Sequence, residues 1–179
     1  MIKPAPKVRL ELRPSRLDPG GVGVFATCDL QKGEKVADGV SEEDFQHLVP
    51  WEWFYRCDEE IQREIMTFCV GTPDGFVPPP DFDFNKLSIE WYLNHSCNGN
   101  CGFDDDGDFT AIRDIRKGEE LSYDYGLVES NPRFSMRCNC GSENCRYVIT
   151  GNDWSNESFT RRNHDHMHPH LRRLVSILA

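Results

Sequence analysis

Cys138-Asn139-Cys140-Gly141-Ser142-Glu143-Asn144-Cys145 decides how this chain reads. Three thiols this close, set among Arg, Asn and Gly, do not make an apolar core. A structural zinc site almost always takes four protein ligands, so a fourth must come from elsewhere in the chain. Cys97, which closes Asn94-His95-Ser96-Cys97, is the preferred donor, and Cys101 competes for the place. Between the two pieces runs Gly118-Glu119-Glu120-Leu121-Ser122-Tyr123-Asp124-Tyr125-Gly126.

The 179 residues suit one domain with a modest appendage, long enough to bury a core without disulfides. A net charge of −10 argues against a nucleic-acid binder, because phosphate contact needs basic surface, and suits a basic protein or peptide partner. No apolar stretch follows Met1, and no run approaches the ~20 apolar residues of a membrane span. An intracellular, reducing setting is therefore expected, with no membrane partner and with clustered cysteines as metal ligands. Cys28, Cys57 and Cys69 fall in apolar or helical contexts and are expected as small buried side chains.

Outward from the cysteines, the pattern is mainly β. Leu10 to Arg13, Val22 to Ala26, Lys35 to Ala37, Phe109 to Arg113 and Glu120 to Tyr123 read as strands. Asp18-Pro19-Gly20-Gly21, Gln31-Lys32-Gly33-Glu34 and Arg116-Lys117-Gly118-Glu119 read as turns between them. The acidic run from Asp104 to Asp108 is a solvated hairpin turn, since it lacks the spaced ligands of a calcium loop. From Ser41 the period turns helical, with Phe45, Leu48 and Val49 on one face. Asp58 caps a second helix carrying Ile61, Ile65, Phe68 and Cys69, which Gly71 ends. The prolines Pro78, Pro79 and Pro80 make residues 71–86 loop. A last helix begins at Pro169 and sets Leu171, Leu174, Val175 and Leu178 on one side. The histidines of His164 to His170 are expected on an exposed tail, without a dedicated metal.

Taken in order, these segments resemble the SET-domain protein-lysine methyltransferases from about Leu10 to Tyr147. The match consists of Gly21-Val22-Gly23-Val24-Phe25-Ala26, Asn94-His95-Ser96-Cys97, Gly118 to Tyr125, and the cysteines of the family's post-SET segment. The family often carries Arg-Phe where this chain has Trp91-Tyr92. The resemblance implies a mainly β fold of small sheets with a helical insert, a knot-like crossing, a zinc-bound post-SET segment and a C-terminal helix. It divides the chain into a lead-in (1–9), a SET domain (10–128, insert about 41–86), a post-SET segment (129–150) and a tail (151–179).

The activity implied is methylation of a lysine on a basic protein or peptide, histone or not, with S-adenosylmethionine as methyl donor. Gly21, Val22, Gly23, Asn94, His95 and Tyr125 would contact that cofactor. Tyr125 would be catalytic, and Tyr123 would hold a water that limits the product to monomethyl-lysine. Structural zinc would sit on Cys97, Cys138, Cys140 and Cys145. The alternative is a catalytically weak, zinc-stapled module that binds a peptide or protein partner. Its weakness is that it leaves Asn94, His95 and Tyr125 without work.

Overall fold

The computed structural model describes residues 9–178, so the expected lead-in lies almost wholly outside it. Short strands dominate. β1 (Leu10–Pro14) and β2 (Val22–Ala26) form an antiparallel hairpin across the Asp18-Gly21 turn. β3 (Lys35–Ala37) follows a turn that needs Gly33 at φ 85°, and the chain repeats the device with Gly118 at φ 82°. Only glycine adopts that backbone without strain. In both turns the next glutamate closes the loop: Gln31 N–H donates to Glu34 and Arg116 N–H to Glu119.

The insert departs from expectation. Helix from Ser41 is limited to a single turn at Asp44–Gln46. Pro50 disfavours helical backbone in Val49 before it. Val49–Pro50 instead forms β4, followed by the one-turn α1 (Trp51–Phe54). α2 (Glu59–Phe68) is capped as expected, Asp58 accepting from the Ile61 N–H at 3.0 Å. It stops at Cys69, before Gly71, and the chain turns directly into β5 (Val70–Gly71) and β6 (Gly75–Val77). The stretch expected as loop thus opens with a hairpin, and β6 also pairs with β4. Its prolines begin one residue after β6 ends, so no ladder hydrogen bond is lost.

The sheet that carries the site runs β1-β2-β10-β8-β9-β3, where β8 is Cys101–Phe103, β9 Phe109–Ala111 and β10 Glu120–Tyr123. β7 (Asn94–His95) joins β10 off this path. Both β7 and β8 lie parallel to β10, so the chain passes twice along one strand within ten residues. The Asp104 to Asp108 run is the β8–β9 hairpin turn. β11 (Ser135–Arg137) and β12 (Val148–Thr150) make a separate ribbon that brackets the three close cysteines.

After it, Asn156 caps α3 (Glu157–Asn163), and Pro169 opens α4 (Pro169–Leu178). The C-terminal segment is part of the core. Phe159, Met167 and Leu171 are buried with Val24, Phe103, Ile115 and Leu121. Each such full burial contributes about 1.5–3 kcal/mol. The histidine stretch is therefore no exposed tail: His168 is fully buried and its Nε2 meets the Val40 carbonyl at 2.7 Å. Cys28, Cys57 and Cys69 are half-buried instead of buried.

Candidate functional site

β10 delivers Tyr123 to the end of the sheet, and the chain then leaves the strand. Asp124 accepts from the Gly126 N–H at 3.0 Å and caps a 3-10 turn over Tyr125–Leu127. Tyr125 thus belongs to the turn that follows the strand. Its ring still lies 4.9 Å from that of Tyr123, centroid to centroid. The Tyr125 hydroxyl donates to the Leu93 carbonyl at 3.2 Å. Its backbone N–H donates to His95 Nδ1 at 3.1 Å. That bond fixes the tautomer, because Nδ1 must be the acceptor and Nε2 carries the proton. Nε2 faces Cys97 Sγ at 3.4 Å. Burial pushes the imidazole down to about 4, so it is neutral at pH 7. Desolvation pushes both phenols well above their ordinary range, leaving Tyr123 and Tyr125 as neutral O–H groups.

Two clefts open on either side of Tyr125. One, of about 600 Å³, runs past Asp18, Gly21, Val22, Asn94, His95 and the cysteine segment. The other, of about 630 Å³, contains Tyr123, Phe103, Phe109 and the hairpin of the insert. Tyr125, Leu93, Trp91, Phe134 and the end of α2 line both. Either volume accommodates an organic ligand of moderate size.

Asn94 is half-buried in the first cleft. Its Nδ2 donates to the Val22 carbonyl at 2.8 Å and to Ser15 Oγ at 3.1 Å. No hydrogen bond among the described residues reaches its Oδ1. Gly23 does not line the cleft. A Cβ there would stand 2.2 Å from Glu120 Oε1, so that glycine serves packing behind Asn94. Glu120 is itself buried and secures the loop below, accepting from Ser15 Oγ at 2.6 Å and Arg16 N–H at 2.7 Å.

The sulfurs of Cys97, Cys138, Cys140 and Cys145 all lie within 4.8 Å of one another. Tetrahedral zinc with bonds of about 2.3 Å would hold its sulfurs about 3.8 Å apart. Cys97 and Cys138 stand at 3.8 Å. Backbone N–H groups of Arg146, Cys140 and Tyr147 point at Cys97, Cys138 and Cys145 at 3.4, 3.5 and 3.4 Å, as outer partners of bound thiolates do. The donor set therefore fits zinc. Cys101 is not in the group: it is fully buried in β8, beside Tyr123.

Arg146, next to Cys145, links this cluster to the tyrosines. Its guanidinium makes two 2.6 Å bonds to Asp124, one to each oxygen, and a 3.0 Å bond to Asp153. It also lies over the Phe159 ring at 5.0 Å. Asp124 is the residue that caps the Tyr125 turn, so the cysteine segment bears on the geometry of Tyr125 through a bidentate ion pair. Sequence reasoning missed Arg146, Asp124, Leu93 and Phe134. The one available signal was position: Arg146 directly follows a ligand-type cysteine, and Asp124 sits between the two tyrosines.

Residues 21–126 match the SET domain. The chain belongs to the SET-domain family. It is similar to the histone-lysine N-methyltransferase ASHR3 of Arabidopsis thaliana, 33% identical over 127 residues, which cover 64% of this chain and 25% of that protein. To the probable histone-lysine N-methyltransferase set-23 of Caenorhabditis elegans it is 33% identical over 145 residues, 70% of this chain and 59% of that one. To the histone-lysine N-methyltransferase trr of Drosophila melanogaster it is 44% identical over 144 residues, 70% of this chain and 5% of that one. The chain thus spans between a small fraction and just over half of these relatives. A solved structure of a humanized mutant of the Chaetomium thermophilum Polycomb Repressive Complex 2 overlays with a TM-score of 0.46 at 28% identity, covering 68% of this chain and 15% of that one. Among the described residues no helix is long and apolar enough to cross a membrane.

Proposed function

We propose that this chain is an intracellular protein-lysine N-methyltransferase that uses S-adenosylmethionine and acts on a basic protein segment. The observation that carries the reading is the pair of clefts meeting at Tyr125. Methyl transfer joins two reactants in line, and most of its rate comes from positioning, so two sites sharing one wall are what it requires. In this reading residues 10–128 are the SET domain, 129–150 the post-SET segment and 151–179 a tail folded onto it.

The cleft with Gly21, Val22, Asn94 and His95 takes the cofactor. Bound there, S-adenosylmethionine supplies an electrophilic methyl on a sulfonium. The open Oδ1 of Asn94 suits the cofactor's ammonium, while its Nδ2 is held by Val22 and Ser15. The other cleft takes the lysine. Asp38, Asp44, Asp81, Glu90 and Glu129 line it, with no Lys or Arg among the described residues, which complements a basic segment. Tyr125 and the Leu93 carbonyl stand where the clefts meet and orient the amine.

Calorimetric titration with S-adenosylmethionine tests the cofactor site. Wild type binds one equivalent. Asn94→Ala weakens binding by about 1–3 kcal/mol, the cost of one or two buried hydrogen bonds. Unchanged affinity would return Asn94 to a purely structural role.

Product number is set by Tyr123 in this account. A water on its hydroxyl occupies the space a methylated amine would need, so wild type stops mainly at monomethyl-lysine. Tyr123→Phe removes the hydroxyl and keeps the ring packed against Phe103 and Phe109. Di- and trimethyl products then rise with little loss in the first step, read by mass spectrometry on a lysine peptide. Wild type that already trimethylates freely, or a variant with the same products, removes Tyr123 from this role.

A further inference from the structure

Glu129 is a buried carboxylate, 6% exposed, in the wall of the cleft that holds Tyr123 and Tyr125. One oxygen accepts from the Gly71 N–H at 2.9 Å, the other from the Asn131 N–H at 2.7 Å. A carboxylate has about four acceptor positions, so both oxygens retain capacity. Backbone N–H groups approach its charge, and among the described residues no ion pair reaches it. Burial accordingly lifts its carboxyl to about 7. Tyr123 and Tyr125 line the same cleft as Glu129. An anion taken out of water without a counter-charge is costly, and a cation arriving beside it recovers that cost. Among the described residues no Lys or Arg lines this cleft to fill the role.

We propose that Glu129 is the receptor for the side-chain ammonium of the incoming lysine, so that this cleft selects a cationic side chain before any methyl is transferred. The proposal rests on the methyltransferase reading and adds a residue to it. Holding the ammonium favours the protonated amine, which cannot attack. The contribution of Glu129 is therefore to binding, and its loss raises KM more than it lowers kcat. A carboxylate that only pins Gly71 to Asn131 would affect thermal stability and leave side-chain selectivity alone.

The test is equilibrium binding by fluorescence anisotropy, with the zinc-loaded full chain saturated with S-adenosylhomocysteine. The probes are a labelled peptide holding one lysine between arginines and its norleucine counterpart. Wild type should bind the lysine peptide on the order of 10-fold more tightly, the scale of one charge-assisted hydrogen bond. Glu129→Gln, which keeps the shape and one acceptor oxygen, should remove the preference while zinc content and S-adenosylhomocysteine affinity hold. Norleucine bound as well as lysine by wild type overturns the proposal, and so does a folded Glu129→Gln protein that keeps the preference. If Glu129→Gln does not fold, Glu129→Asp, which draws the charge back by one methylene, should weaken the preference, and a folded Glu129→Asp protein with an unchanged preference overturns the proposal. No methyl moves in this assay. Selective binding without any transfer would sink the methyltransferase reading and leave the receptor standing, whereas transfer without selectivity would do the reverse.

Discussion

Tyr125→Phe is expected to lose roughly 100-fold or more of methyl transfer, the scale of removing one preorganised hydrogen-bond donor at a reacting centre. The substitution takes away one oxygen and little else. The turn that presents residue 125 is held by Asp124 through the Gly126 N–H, and the residue's own N–H is held by His95. Neither bond involves the phenol. The Leu93 carbonyl loses its 3.2 Å donor but lies beside both clefts, where water can replace it. The fold and the affinity for S-adenosylmethionine should therefore survive while the chemical step fails. Single-turnover rates beside calorimetry separate the two. Near-normal turnover in the variant would remove Tyr125 from the mechanism.

Removing the metal should be the more destructive change. About one zinc per chain is expected, the stoichiometry of a single four-cysteine site. Cys140→Ser, or a strong chelator, should lower metal content, stability and activity together, because metal binding and folding are coupled. The consequence reaches beyond the cluster. Cys97 anchors the segment that carries Asn94 and His95, and Arg146 ties the cysteine ribbon to Asp124 under Tyr125. Four thiols freed from the metal release both ties. Metal analysis, thermal melting and turnover on the same preparation check this. A metal-free chain that is folded and fully active would contradict the assignment.

What was legible in the sequence was local. Asp58 before α2, Pro169 at the start of α4 and the paired Lys-Gly-Glu turns each carry their conformation in their own residues. β7 and β8 were not legible as strands, for their two and three residues acquire that state by lying beside β10. The insert misled for a related reason. The prolines after Val77 looked like barriers to a sheet, yet they follow the end of β6, where the ladder does not need their N–H. His168 looked like surface because its partner, the Val40 carbonyl, is 128 residues away. The cysteines and tyrosines were visible as residue types, and their spacing gave the order of the site. Position beside Cys145 was the one hint of Arg146, and Glu129 had none, since each acts through distant groups: Asp124 for one, Gly71 for the other.

The central claim is that Tyr125 sits between a methyl donor and a lysine. Transfer of labelled methyl from S-adenosylmethionine into cell-lysate proteins, followed by mass-spectrometric mapping of the labelled residues, tests it most directly. The account predicts label on lysine side chains in basic surroundings, from wild type and not from Tyr125→Phe at equal cofactor occupancy. Label on another residue type, or no label from a zinc-loaded chain that binds the cofactor, would contradict it.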